Sequence, residues 1–274
     1  AVVEAMVAHP AVRRVNFTGS TRVGKLIAMT CAKYLKPVVL ELGGKAPLVV
    51  LDDADVEDAV NGAAFGCFAN SGQICMSTER IIVDQKIADE FAKKFADKAR
   101  NLPLGDPRKP EPVVLGSVIG MSTVEHCNAL VDDALAKGAK LLCGGKADST
   151  LMPATVLDHV TPAMRIYHEE TFGPVKCIVR VKNTEEAIAC ANDNEYGLSA
   201  AVFGKDIARA FNVARKIDSG ICHVNGPTVH DEAQMPFGGV KGSGIGRFGG
   251  KAGIAEFTEL RWVTVQTTPR HYPF

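Results

Sequence analysis

Pro37-Val-Val-Leu-Glu-Leu-Gly-Gly-Lys-Ala-Pro-Leu-Val-Val-Leu51 joins two apolar β runs, 37–42 and 46–51, through a pair of glycines. Short runs apolar at successive positions read as strands covered on both faces, as in a parallel sheet flanked by helices. Upstream, Arg14–Thr18 reads as a strand and Ser20–Tyr34 as a helix. Downstream, Asp55–Ala69 has helical periodicity after an acidic first turn, and Arg80–Val83 reads as a strand. Helices at 86–100 and 122–137, strands at 139–143 and 175–181, helix 184–192, strand 199–203, helix 206–216 and strand 220–224 follow. Strands separated by helices of this length need crossover connections, so the expected fold is α/β with a parallel-rich sheet. The Pro- and Gly-rich stretch 101–120 and the Gly-rich stretch 238–250 read as loops. The tail 257–266 alternates like a strand with one wet face and, lying outside the α/β alternation, is free to pair with another chain.

The composition limits the functions available. Lys+Arg and Asp+Glu both total 31, which argues against nucleic-acid or membrane-surface binding driven by bulk charge. No apolar run approaches the length of a membrane span. The N-terminus, Ala1–Met6, carries an acid and no basic region, unlike a signal peptide. It lacks an initiator Met and starts inside a helical pattern, as expected of a fragment. The closest pair among eight cysteines is Cys67 and Cys75, so Cys-x-x-Cys and zinc-ribbon spacings are absent and no metal is expected. Most of these cysteines sit in apolar settings and read as buried small hydrophobes in a reducing, cytoplasmic compartment.

Two phosphate motifs are near misses. Gly19-Ser-Thr-Arg-Val-Gly-Lys25 has P-loop spacing between a strand and a helix, but Leu26 stands where the magnesium-binding hydroxyl belongs. A Ser-opened helix still presents free amides to an anion, and Ser20 serves equally as a plain cap. Gly244-Ile-Gly-Arg-Phe-Gly249 spells G-x-G-x-x-G, yet it lacks a preceding strand and leaves too few residues for a βαβ unit, so it reads as a turn-rich loop.

Four segments carry chemistry. Glu41-Leu-Gly-Gly-Lys45 places a carboxylate at a strand's carboxyl end, where α/β proteins bind ligands and where solvated acids are also common. Asn70-Ser-Gly-Gln-Ile-Cys75 puts one thiol in a polar loop, where oriented amides can lower its pKa and make it a nucleophile. His168-Glu-Glu-Thr-Phe-Gly-Pro174 combines acids suited to ribose hydroxyls with an aromatic suited to a flat ring, or forms an ordinary turn. Met235-Pro-Phe-Gly-Gly-Val-Lys241 sets an aromatic before a Gly-Gly turn.

In order and spacing these four segments resemble the NAD(P)-dependent aldehyde dehydrogenase superfamily, over essentially the whole chain. The tail 267–274 and Asn225–His230 look most like its bacterial aromatic-aldehyde branch. The resemblance implies Cys75 as nucleophile and Glu41 as the base for deacylation. It implies Gly19, Ser20, Leu42, Glu170 and Phe172 around a bound NAD or NADP, and Ile74, Met76 and Phe237 around the aldehyde. It further implies part of a dinucleotide-binding domain at 1–43, a catalytic domain at 44–243, and a return with an oligomerisation tail at 244–274, in a homodimer or homotetramer. The family's preceding segments hold the first half of the dinucleotide fold and the second oxyanion donor, so the chain alone is not expected to turn over aldehyde.

The chemistry implied is thiol addition, hydride loss to the cofactor and hydrolysis of the thioester by water that Glu41 deprotonates. Two rivals use the same residues: a cofactor-free acyl transferase or thioesterase, and a non-enzymatic binding protein on the same scaffold.

Overall fold

The computed structural model describes residues 2–274. Its elements, in chain order, are α1 (Val2–Ala8), β1 (Val15–Thr18), α2 (Thr21–Ala32), β2 (Val38–Glu41), β3 (Ala46–Val50), α3 (Val56–Phe68), β4 (Thr78–Asp84), α4 (Ala88–Arg100), α5 (Met121–Ala136), β5 (Lys140–Cys143) and β6 (Thr155–Asp158). They continue with α6 (Arg165–His168), β7 (Val175–Val181), α7 (Thr184–Asn192), β8 (Tyr196–Gly197), β9 (Ser199–Phe203), α8 (Ile207–Ala214), β10 (Ile221–Val224), β11 (Val240–Lys241), β12 (Gly244–Ile245) and α9 (Gly250–Glu256).

The quoted stretch does divide the molecule. β2 lies in a three-stranded sheet ordered β1-β2-β12, whereas β3 lies inside a seven-stranded sheet ordered β10-β9-β3-β4-β7-β6-β5. The larger sheet is parallel except for β5, which runs antiparallel to β6. The Gly43-Gly44 link therefore carries the chain from one sheet to the other.

Two-sided burial explains the apolar runs. Along β3, Leu48 and Val50 join the core beneath α3 and α4, while Val49 and Leu51 join the opposite core with α7 and α8. β4 alternates in the same way, with Ile81 and Val83 on the first side and Ile82 on the second. Because neighbouring side chains leave opposite faces of a strand, a sheet covered on both sides needs apolar residues at every position. A third core, under α5, holds Leu130, Leu157 and Cys177. Four of the helices start where short polar side chains take up free amides. Ser20 caps α2, Asp55 caps α3, Asn183 caps α7 and Asp206 caps α8.

Residues 257–266 are not a strand within this chain: beyond α9 they are exposed, with Leu260, Trp262 and Val265 open to solvent, and their alternation is left unpaired for another chain. Stretch 238–250 is not simply a loop either, because β11, β12 and the start of α9 lie within it, and β12 pairs antiparallel with β2. β6 was not anticipated.

Candidate active site

The carboxyl end of β2 faces the entry to β4, and three segments meet there. Glu41 is the last residue of β2. Its carbonyl accepts the Gly19 amide at 3.0 Å, and its backbone is in register with Thr18 on one side and Gly244 on the other. Its side chain is only 4% exposed, yet neither carboxylate oxygen has a hydrogen-bond partner. Burial raises its pKa to about 7, against the opposing pull of the Arg247 guanidinium. Gly238 leaves room for this carboxylate, since a Cβ there would lie 2.9 Å from Glu41 Oε1 and 2.7 Å from Arg247 Cδ.

Cys75 reaches the same place from α3. Asn70, Ser71 and Gly72 all have positive φ, at 50°, 57° and 73°, which swings the chain out of α3 and toward β4. Three consecutive left-handed residues, two of them not glycine, are a strained turn of the kind found at functional sites. Gly72 fits against the carbonyl of Gly173, to which a Cβ would come within 2.3 Å. The Cys75 carbonyl lies over Gly44, where a Cβ would come within 2.4 Å of the oxygen. The thiol itself is half-buried.

A lowered Cys75 pKa was expected, and the structure shows the reverse. Burial, followed by the charges of Glu41 and Glu170, pushes it up to about 11, outweighing the backbone amides of Met76 and Cys75 that pull it down. The oriented amides are present, but burial and the two acids outweigh them. The seven other thiols are also not uniformly buried, since Cys190 and Cys222 are partly exposed.

Glu170 supplies the third segment. Its Oε1 accepts the Gly44 amide at 2.8 Å, and its Oε2 sits 2.7 Å from where a Gly43 Cβ would be. Burial raises this carboxyl to about 7 as well. Phe172 follows at φ 45° with its ring exposed. The remaining anticipated residues are placed less uniformly. Ser20 spends its hydroxyl on the amide of Val23, and the Gly19 amide is committed to Glu41, which leaves the first amides of α2 itself for an anion. The Leu42 side chain is buried against Gly24 of α2. Met76 is buried, its carbonyl accepting the Thr228 hydroxyl at 2.7 Å, and Ile74 is half-buried. Phe237 exchanges backbone hydrogen bonds with Phe248 and lines a cavity of about 360 Å³ together with Cys222, His223, His230 and Met235. Ile74 and Met76 are not on its walls. A larger cavity of about 640 Å³, between α1, β1 and α2, is an apolar groove remote from Cys75.

Sequence reasoning missed the polar supports. The Ser243 hydroxyl donates to the Gly43 carbonyl at 2.7 Å and accepts the Gly197 amide at 3.0 Å. Glu79, at the start of β4, is fully buried and accepts four hydrogen bonds. These come from Lys176 Nζ at 2.7 Å and the Thr171 hydroxyl at 2.6 Å on Oε1, and from Lys45 Nζ at 2.8 Å and the Thr171 amide at 2.9 Å on Oε2. Burial alone would raise this carboxyl, but the two ammonium groups hold it well below the usual range. The available signal was positional: Lys45 and Glu79 each stand four residues after one of the two residues singled out for chemistry.

A half-buried thiol and an unpartnered acid thus meet at a glycine crossover between two sheets of an α/β protein. Comparison with known proteins places the chain more narrowly. The model of the aldehyde dehydrogenase family matches residues 1–263, and the chain belongs to that family. It is 58% identical over 272 residues to vanillin dehydrogenase from Pseudomonas fluorescens, a match covering 99% of this chain and 56% of the relative. It is 42% identical to the NAD(+) benzaldehyde dehydrogenase of Pseudomonas putida, covering 99% and 56%. Its structure superimposes with a TM-score of 0.98, at 52% identity, on a salicylaldehyde dehydrogenase from Pseudomonas putida G7 complexed with salicylaldehyde, covering 100% of this chain and 56% of that one. The chain thus spans just over half the length of the relatives it matches.

Proposed function

We propose that this chain carries the acyl-transfer centre of an NAD(P)+-dependent aldehyde dehydrogenase acting on aromatic aldehydes, with Cys75 as nucleophile and Glu41 as base. The observation that carries this is the Glu41 carboxylate, sealed from solvent, free of hydrogen bonds and raised to about 7 beside a half-buried thiol. A structural acid buried this deeply would have partners. One kept without them near neutral pKa is suited to exchange a proton with something that arrives.

The local geometry fits a nicotinamide dinucleotide. Gly43 leaves a cradle beside the Glu170 carboxylate, Phe172 offers an exposed ring, and the first amides of α2 point to an anion site. Such a cofactor supplies a cationic ring that accepts hydride and favours a thiolate nearby. In the first half-reaction Cys75 Sγ gives its proton to water and bonds to the aldehyde carbon, and the Cys75 and Met76 amides, which face Sγ, would hold the resulting oxyanion. One such donor contributes roughly 3–4 kcal/mol in comparable sites. Departure of hydride with the C–H electron pair leaves a thioester on Sγ. In the second half-reaction Glu41 takes a proton from water, the hydroxide attacks the thioester carbon, and the C–S bond breaks to return the thiolate.

The aromatic preference is supported by the identity to vanillin and benzaldehyde dehydrogenases, by Phe237, and by the lack of any Arg between Pro227 and Phe237 that could pair with a distal carboxylate. The two sheets support a boundary at residues 43/44, and the return of β12 to β2 supports a second at 243/244. The exposed apolar tail supports self-association as a dimer or tetramer, and the free cysteines support a cytosolic location.

The test is growth of reduced-nicotinamide absorbance with vanillin, salicylaldehyde and succinic semialdehyde, using the chain complemented by the unmatched remainder of a relative. Cys75→Ser should abolish turnover. Glu41→Gln should keep a burst of about one equivalent of reduced cofactor and then slow at least tenfold as deacylation becomes limiting. Near-normal steady-state turnover by Glu41→Gln removes it as the base, and a higher kcat/KM for succinic semialdehyde than for vanillin refutes the aromatic assignment.

A further inference from the structure

Behind the proposed site lies an ion cluster that the reaction does not use. Glu79, Lys45 and Lys176 are each at most 2% exposed and come from three separate segments. Lys45 ends the Glu41-Leu-Gly-Gly crossover, Glu79 stands on β4 four residues after Cys75, and Lys176 stands on β7 just after the Glu170 loop. Two of Glu79's four hydrogen bonds come from Thr171, the residue after Glu170, and Lys45 Nζ also donates to the Glu169 carbonyl at 2.6 Å. Glu170 is thus pinned on both sides, while its own carboxylate accepts the amide of Gly44, next to Lys45. The cluster holds two ammonium groups against one carboxylate, and the carboxylate that would balance the surplus is Glu170.

We propose that the Lys45–Glu79–Lys176 cluster is a positioning device for Glu170, fixing the loop through Thr171 and Glu169 and holding the Glu170 carboxylate ready to accept ribose hydroxyls of the cofactor. This rests on the cofactor reading of Glu170 above. Simple packing does not call for such a cluster, because well-packed apolar residues of the same volume are commonly as stable as a buried ion group. Its arrangement instead brings both lysines, beyond their bonds to Glu79, onto one loop, Lys45 at the Glu169 carbonyl and Lys176 at the Thr171 hydroxyl.

The charges around Glu170 set the sign of the pH dependence. Burial is the largest effect disfavouring its ionised form and Glu79 adds to it; the Gly44 amide, Lys45 and Lys176 favour it. Tyr196 faces the same carboxylate, and His126 Nε2 meets the Glu170 carbonyl at 2.9 Å. With its pKa at about 7, Glu170 accepts hydroxyl hydrogen bonds best above that pH, so ligand binding tightens as pH rises. Removing one ammonium group moves that midpoint upward.

The test uses nicotinamide mononucleotide, which carries the ring and its ribose, titrated into the full chain by ligand-observed NMR between pH 5.5 and 8.5. The parent should bind more tightly as pH rises, with a midpoint near 7, and Glu170→Gln should bind weakly at every pH. Lys176→Met leaves a balanced Lys45–Glu79 pair and should fold. It should bind about tenfold more weakly at pH 7, with its midpoint moved up by about one unit, while its circular dichroism spectrum stays parental. Should Lys176→Met not fold, Lys176→Gln, which keeps a donor for Glu79, carries the same expectation. Parental affinity and midpoint in the Lys176 variants, with Glu170→Gln weakened, overturn the positioning role and leave the cofactor reading standing. A parent that does not bind the mononucleotide, binds it without pH dependence, or binds it as Glu170→Gln does, overturns the role assigned to Glu170 and this proposal with it.

Discussion

Cys75 carries a pKa near 11, well above an ordinary thiol, whereas the reaction proposed for it needs a thiolate. Burial is the main cause and the two carboxyls beside it add to it, so its reactivity also depends on their protonation and on any cation brought near. Of the two other part-exposed thiols, Cys222 is raised to about 12 by burial alone and Cys190 is engaged by the Tyr167 hydroxyl at 3.5 Å, while Cys67, Cys127 and Cys177 are sealed in the core. Limited iodoacetamide labelling at neutral pH with peptide mapping should therefore modify Cys75 first, several-fold ahead of Cys222. Earlier labelling of Cys222 or Cys190 would remove the nucleophile assignment. Cys75 and Glu41 were legible as residues because each interrupts an apolar pattern with a polar, glycine-bearing turn. Their electrostatics were not, because whether an acid lies beside a thiol depends on tertiary contacts that local sequence does not record. Glu79 was illegible for a related reason: an acid at the mouth of a strand reads as solvated until its two lysines are found, one 34 and one 97 residues away.

At the scale of elements, the α/β alternation was readable because two-sided burial stamps an unbroken apolar run on each central strand. What failed was the periphery. β6 is a short run, 155–158, too brief for its pattern to stand out. β12 consists of a glycine and an isoleucine inside a turn-rich stretch, and only its pairing with Leu40 and Glu41 makes it a strand. The crossover is the element most sensitive to added volume. A Cβ on Gly44 would press on a backbone oxygen of Cys75 that cannot rotate away. Gly44→Ala should cost about 1–3 kcal/mol in urea unfolding and disturb the thiol, whereas Gly120→Ala, with nothing within 4 Å, should be close to neutral. Equal effects of the two substitutions would mean the crossover tolerates displacement that its contacts do not suggest.

For the whole molecule, the extended tail leaves Leu260, Trp262, Val263, Val265 and Phe274 in water. Several large apolar side chains in one unpaired segment favour association. Deleting residues 257–274 should shift the sedimentation profile toward monomer at micromolar concentration, and an unchanged profile would place any self-contact elsewhere. Stability as a whole also bears the mark of one residue. The Glu41 carboxyl titrates at about 7 when folded against 4.5 as a reference, so the folded state holds its proton more tightly. Its contribution is fully present below about pH 4.5 and is lost as pH rises to 7, by about 3 kcal/mol at most. Glu41→Gln should accordingly gain about 1–3 kcal/mol over the parent at pH 8 and much less at pH 5, by urea denaturation at the two pH values. No pH-dependent difference would mean the carboxyl is better solvated than its surroundings imply. The unpartnered carboxylate therefore has an evolutionary consequence. In a library selected only for heat resistance, replacements at Glu41 should be among the first enriched, and the survivors would be durable proteins stalled at the acyl stage.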